Sequence, residues 1–206
     1  MSKITSTQLH LGEDTTASGD TAGQGQIWVK SDNPCSLYYT GDTGIDNRIS
    51  GITLNAAIDT SSGAQSYDVL NIPPGVKRIT LLFAGVSLSG SEKPLIQLGT
   101  GGSPTTSGYL GGADYDNAGG GINLGSGFQF NSWSADKVAQ GACNFWLQNA
   151  STNVWVSQGS MLFSNGVENN RRYSGSVPLS GTLDMLRIKN TGSNTFDAGG
   201  IGVQFE

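Results

Sequence analysis

The stretch Lys77-Arg78-Ile79-Thr80-Leu81-Leu82-Phe83-Ala84-Gly85-Val86-Ser87-Leu88 decides the fold. It opens with alternating polar and apolar residues and then becomes continuously apolar, as a strand does where both of its faces are covered. It is expected to be a central strand. The longest apolar run, residues 79–86, spans only eight positions, far short of the roughly 20 residues that cross a bilayer as a helix. Membrane insertion is not expected.

Working outward, further strand-like runs recur at 67–72, 95–98, 127–130, 142–147, 154–157, 160–163, 183–189 and 202–205, separated by turn-rich stretches. Several short strands at such spacing indicate a sandwich or jelly roll. The 31 glycines and only 13% charged residues suit tight turns and disfavour a helical chain. The best helix candidate is short, residues 134–140, with Ser134 as a cap. The expected fold is all-β: a jelly-roll-like antiparallel β-sandwich over residues 61–206, preceded by an extended N-terminal arm and hairpin over residues 1–60.

Residues 1–25 are polar and rich in Gly, Ser and Thr, so they need a partner or stay loose. Gln26-Ile27-Trp28-Val29-Lys30 and Ser36-Leu37-Tyr38-Tyr39-Thr40 read as a hairpin around a turn. An isolated hairpin is marginal in water. Ile27, Trp28, Leu37, Tyr38 and Tyr39 are therefore the candidate attachment or oligomer interface. Residues 50–66, small and polar, read as a linker.

The chemistry that is missing excludes several function classes. The one histidine, His10, lies in the polar leader, and no Gly-x-Ser-x-Gly elbow occurs. No lysine follows a glycine, which removes the phosphate-binding Gly-Lys-Ser/Thr signature. Without a Cys/His cluster a zinc site has no ligands. A net charge of −5 with 11 thinly spread Lys and Arg offers no stripe for a phosphate backbone, so nucleic acid is not an expected partner. Cys35 and Cys143 sit in different modules and are expected to be reduced and inert. The start, Met1-Ser2-Lys3-Ile4-Thr5-Ser6-Thr7-Gln8, has no apolar signal-peptide core. Cytoplasmic synthesis is expected, which would leave Asn149-Ala150-Ser151 a sequon without a secretory route. No catalytic residue, metal ligand or cofactor is assigned.

Binding candidates remain. Asp114-Tyr115-Asp116-Asn117 reads either as a plain turn or as a calcium loop or sugar patch, although the EF-hand pattern fails at Ala118 and Gly125. Of the four tryptophans, Trp28, Trp146 and Trp155 lie in strand patterns and suit the core. Trp133, flanked by serines, is the one expected at the surface, where a ring can stack on a sugar. Arg171-Arg172-Tyr173 is either a solvated loop or a grip on an acidic sugar or a neighbouring subunit. The candidate glycan or host contacts are thus Tyr109, Asp114, Tyr115, Asp116, Trp133, Arg171, Arg172 and Tyr173.

Three segments carry a resemblance. One is Ile72-Pro73-Pro74-Gly75-Val76-Lys77-Arg78, continuing through Ser87, with Leu95-Ile96-Gln97-Leu98-Gly99 and Ser107-Gly108-Tyr109-Leu110-Gly111. Another is Leu179-Ser180-Gly181-Thr182-Leu183-Asp184-Met185-Leu186-Arg187-Ile188 with Asn194-Thr195-Phe196-Asp197-Ala198-Gly199-Gly200-Ile201-Gly202-Val203-Gln204-Phe205-Glu206. Both resemble a module at the C-terminal ends of bacteriophage tail proteins. Gly25-Gln26-Ile27-Trp28-Val29-Lys30-Ser31-Asp32 with Leu37-Tyr38-Tyr39-Thr40-Gly41-Asp42 is similar to a hairpin of tail-fibre and related virion proteins. The resemblance implies a non-enzymatic virion protein, built in the host cytoplasm: a tail-fibre or short-spike subunit, expected as a homotrimer. Residues 1–60 would hold other virion proteins, and the outer domain would meet a host surface glycan. A capsid-decoration, head-fibre or tail-adaptor protein is one alternative. A polysaccharide depolymerase, which needs only two carboxylates, is another.

Overall fold

A computed structural model of the chain describes residues 12–14, 25–31, 36–41, 46–49, 53–115, 122–131, 133–164 and 169–206. His10, Cys35, Asp116 and most of the N-terminal arm lie outside the described residues. The chain divides into two units, Met1–Gly51 and Ile52–Glu206.

The first unit is a four-stranded sheet of β1 (Glu13–Asp14), β2 (Gln26–Lys30), β3 (Ser36–Thr40) and β4 (Asp46–Arg48), in that order. The β2–β3 hairpin is present in the expected register, with Trp28 opposite Tyr38 and Ile27 opposite Tyr39. Because side chains alternate across a strand, those two pairs face opposite ways. Trp28 and Tyr38 are buried and stack with ring centroids 5.2 Å apart. The Trp28 indole N–H donates to Thr40 Oγ1 at 2.8 Å, and that hydroxyl donates to Asp46 Oδ1 at 2.6 Å. The expectation that Trp28 and Tyr38 lack cover is thus corrected. Both are buried within the chain, and Ile27 and Tyr39 are the exposed pair, at 58% and 44%.

The second unit comprises β5 (Thr53–Leu54), β6 (Ile58–Asp59), β7 (Ser66–Val69), β8 (Arg78–Leu88), β9 (Leu95–Thr100), β10 (Ser103–Pro104), β11 (Leu110–Tyr115), β12 (Ile122–Asn123), β13 (Phe128–Gln129), β14 (Val138–Asn149), β15 (Val154–Ser164), β16 (Asn169–Pro178), β17 (Met185–Lys189) and β18 (Phe196–Phe205). A five-stranded sheet runs β10-β9-β17-β7, with β13 also on β9. A nine-stranded sheet runs β12-β11-β16-β15-β14-β8-β18-β5, with β6 also on β18. The chain crosses between the two sheets repeatedly, at β6 to β7, β7 to β8, β8 to β9, β10 to β11, on either side of β13 and on either side of β17, and the last strand returns beside the earliest ones. That is the winding of a jelly roll. The antiparallel sheets pack as a sandwich, and β8 holds the expected central place between β14 and β18. Both margins of the larger sheet are two-residue strands.

Four readings are corrected. Residues 53–59, taken as linker, pair with β18, and Thr60 donates to the Ala198 carbonyl at 2.6 Å, so the jelly roll begins before residue 61. The proposed helix at 134–140 is a turn, closed by Lys137 N–H to the Ser134 carbonyl at 3.0 Å, that runs into β14. The runs at 154–157 and 160–163 are one strand, in which Trp155, Ser157, Gly159, Met161 and Phe163 all face inward. The outward face of β8 is open at Arg78, Leu82 and Ala84, so the strand is covered on both sides only over residues 79–81 and 86–88.

Aromatic side chains fill the space between the sheets. Phe128 meets Tyr109 edge-on at 5.0 Å, Phe145 at 5.7 Å and Tyr173 stacked at 5.7 Å. Phe130 continues the series to Tyr173 at 4.9 Å and Phe163 at 6.3 Å, and Trp133 closes it on Phe163 at 4.9 Å. Such pairs each contribute about 0.5–1.5 kcal/mol beyond the area they bury. This crowding explains Gly159: a Cβ there would lie 2.3 Å from Tyr173 Cε1 and 2.9 Å from both Cys143 Sγ and Phe130 Cζ. At the margin, Gly85 (φ +69°) and Gly199 (φ +84°) face each other so closely that a Cβ on Gly199 would sit 2.3 Å from the Gly85 carbonyl. That approach accommodates the register shifts of β18.

We expect Gly159→Ala to destabilise the fold by about 1–3 kcal/mol, because the two rings and the thiol cannot all retreat. The neighbouring outward-facing change Ser160→Ala should stay within about 0.5 kcal/mol. Urea denaturation of the two variants side by side checks the contrast.

Candidate functional site

The outward face of the nine-stranded sheet carries a hollow of about 840 Å³ over β11, β12, β14, β15 and β16. Its floor is shaped by small residues, Gly112, Ala142, Gly159, Ser160 and Ser174, and its walls by Asn123, Asn144, Gln158 and Arg172. Ile122 and Ala113 supply apolar surface on one side. The arrangement follows from strand periodicity: on β15 every second residue enters the core, so Gln158 and Ser160 must point out.

Register then aligns the outward residues across the strands. Asn123 lies opposite Gly112, Gly112 opposite Ser174, Ser174 opposite Gln158, Gln158 opposite Asn144, Asn144 opposite Thr80, and Thr80 opposite Gln204. This row contains amides and hydroxyls and no ionisable group. Thr80 Oγ1 donates to Asn144 Oδ1 at 3.0 Å. A parallel row places Asp114 opposite Arg172, Arg172 opposite Ser160 and Ser160 opposite Ala142. On the other flank Ser176, Val156, Trp146 and Arg78 stand in register.

Two candidate clusters distant in the sequence thus meet on adjacent strands, with Asp114 opposite Arg172 and Tyr115 opposite Arg171. Arg171-Arg172-Tyr173 belongs to β16, which corrects the loop reading. Arg172 is exposed and lines the hollow, and Arg171 is half-buried. Tyr115 and Asp114 end β11.

Three candidates are not surface contacts. Tyr109 is 3% exposed, its oxygen accepting from Leu98 N–H at 2.9 Å and its proton going to the Thr105 carbonyl at 3.1 Å. Trp133 is 1% exposed; its backbone pairs with Glu92, and its indole N–H donates to the Lys137 carbonyl at 3.3 Å. The tryptophan expected outside is therefore inside, because flanking serines describe the neighbours and not the direction of the ring. Trp146, assigned to the core, is only half-buried and stands outward on β14. Tyr173 is the third. Its ring is in the core under the hollow, and its hydroxyl shares a 2.9 Å hydrogen bond with Ser157 Oγ, which itself donates to the Asn144 carbonyl at 2.9 Å.

The sequence reading passed over Gln158, Asn144, Ser174 and Asn123. Gln158 fell between the two runs taken as separate strands, and nothing local shows which residues of the other strands stand beside it.

Nucleophilic chemistry has no group ready for it in the described core below the hollow. Burial pushes the Cys143 thiol up to about 12, the Tyr173 hydroxyl offsetting part of that effect. Burial likewise raises Tyr173 and Tyr109 well above the ordinary phenol value. Among the described residues no group of three or more His, Cys, Asp or Glu could hold a metal ion. No protein-family model, curated protein or solved structure matches the chain.

The raised Cys143 value has a definite consequence. A group held neutral in the fold favours folding fully below its unfolded value of 9.0, and this contribution is lost as pH rises toward about 12. Stability to urea should therefore fall with pH above about 9. In a Cys35→Ser background the Cys143 thiol should ignore a disulfide reagent at pH 8 until denaturant is added; rapid labelling of the native protein would contradict its sealed position.

Proposed function

We propose that the chain is a non-enzymatic structural protein of a bacteriophage virion. It acts as a tail-fibre or short-spike subunit whose jelly roll adsorbs to glycan on the host surface. The observation that carries this reading is the hollow on the nine-stranded sheet, where the amides of Asn123, Asn144 and Gln158 stand with Arg172 around a floor of small and hydroxyl-bearing residues. Such groups exchange hydrogen bonds with sugar hydroxyls at little desolvation cost, and the small residues between them leave room for a ring. The resemblance of the β8 and β18 regions to phage tail modules supports the same reading.

The first unit, residues 1–51, then serves assembly: it joins the protein to other virion proteins and to its own copies as a homotrimer. Ile27 and Tyr39 with half-buried Val29 and Leu37 form the face available for this, while Trp28 and Tyr38 brace it from behind. Several weak sites on one trimer multiply into useful avidity. Synthesis and assembly take place in the host cytoplasm, and the mature location is the virion.

Labelled protein should coat susceptible cells. The double change Gln158→Ala with Ser174→Ala should weaken that binding about tenfold through lost hydrogen bonds, without altering the melting temperature. Release of reducing sugar from envelope material would replace this reading with depolymerase activity, and label found only on the capsid would replace it with a decoration role. Sedimentation should give a trimer that Ile27→Asp dissociates; an unchanged mass would remove that face from the interface.

A further inference from the structure

We infer that the nine-stranded sheet binds the interior of a long, uncharged polysaccharide laid across its strands, and not a terminal sugar; the inference rests on the glycan-binding reading above. The first reason is the length of the polar row. From Asn123 through Gly112, Ser174, Gln158, Asn144 and Thr80 to Gln204, outward-directed positions stand in continuous register over seven strands, with Thr80 itself largely covered. At about 4.8 Å between strands the row extends about 29 Å. One pyranose is about as long as one such step, so a chain can place a sugar on each strand in turn.

The second reason is a separate feature on the same row. A dent of about 10 Å³, room for one water rather than a sugar, is lined by Thr80 and Gln204 together with Arg78 and Glu206, so it extends the polar row without forming a pocket. It lies beyond the main hollow in the direction the row takes. Thr80 links the two, since its hydroxyl donates to Asn144 Oδ1 and so holds that amide by its oxygen. The N–H donors of Asn144 are the part offered to a ligand. A pocket for one end sugar would have no use for matched polar residues on β8 and β18.

Charge selects the polymer class. The row itself is uncharged, and on one flank Arg78 is engaged by Glu206 at 3.1 Å. Arg172, on the other flank, stands in register with Asp114. No unbalanced run of cations tracks the row, as an anionic polymer would require. A second copy of the same face is a poor occupant, because two hollows brought together leave the space between them unfilled and its polar groups without water.

The test uses the full chain and neutral oligosaccharides of two to eight sugars prepared from dextran, mannan and galactan, with polygalacturonate as the charged control, followed by calorimetry. Affinity for at least one neutral series should rise with length and level off near six sugars, about the number of strand steps. Gln204→Ala should weaken the long oligomers about fivefold and leave the disaccharide unchanged, while Gln158→Ala weakens both. Capping or reducing the chain ends should change nothing. The inference is overturned if a disaccharide binds as well as a hexasaccharide, if Gln204→Ala is silent on long chains, or if only polygalacturonate binds. If no glycan binds yet labelled protein still coats cells, this inference falls and host adsorption stands. If neither binding is seen, both fall.

Discussion

Where Gly159 lies against Tyr173, Phe130 and Cys143, the two faces of the nine-stranded sheet depend on one another. The missing side chain lets the Tyr173 ring lie under β15, stacked on Phe128, which belongs to the strand that completes the smaller sheet. The spacing of the sheets, the level of the groove floor and the line of outward residues all follow from that fit. Interiors pack like crystals, so a shift of one ring would pass into the strands above it.

The polar members of this packed layer are few and well placed. Tyr173, Ser157 and the Asn144 carbonyl form a short relay between the core and the strand that bears the groove amides. Tyr109 likewise uses both hydrogen-bonding capacities of its hydroxyl to hold residues 98 and 105 together. On the smaller sheet, Arg187 grips Asp68 through two bonds of 2.6 and 2.7 Å and ties β17 to β7 at its partly exposed face. The pair raises the Arg187 value chiefly through the hydrogen bond. It lies near the surface, so its contribution is on the order of 1 kcal/mol.

Much of the fold was legible because local pattern suffices for it. The run around Phe83 announced a central strand, and the recurring short apolar runs announced an all-β sandwich. What pattern could not supply was partnership between strands. The conjunction of Asp114 with Arg172 depends on β11 pairing with β16, and the row through Gln158 depends on the register of six neighbouring pairs. Nor could it rank tryptophans: Trp133 looked like a surface residue among serines, while Trp146 looked like core on a strand whose partner offers it Val156. Segment 53–59 misled for another reason. Its sparse apolar residues suggested a tether, yet a margin strand needs only backbone hydrogen bonds and one or two anchors such as Ile58.

The brevity of the strands at both margins of the larger sheet matters for life in company. A long bare margin would offer its unpaired N–H and C=O groups to any identical molecule nearby. Here two-residue pieces interrupt that offer on each side, with Thr53–Leu54 and Ile58–Asp59 at one border and Ile122–Asn123 at the other. Many copies can therefore be crowded side by side without zipping into fibrils, and each keeps its broad outer face available.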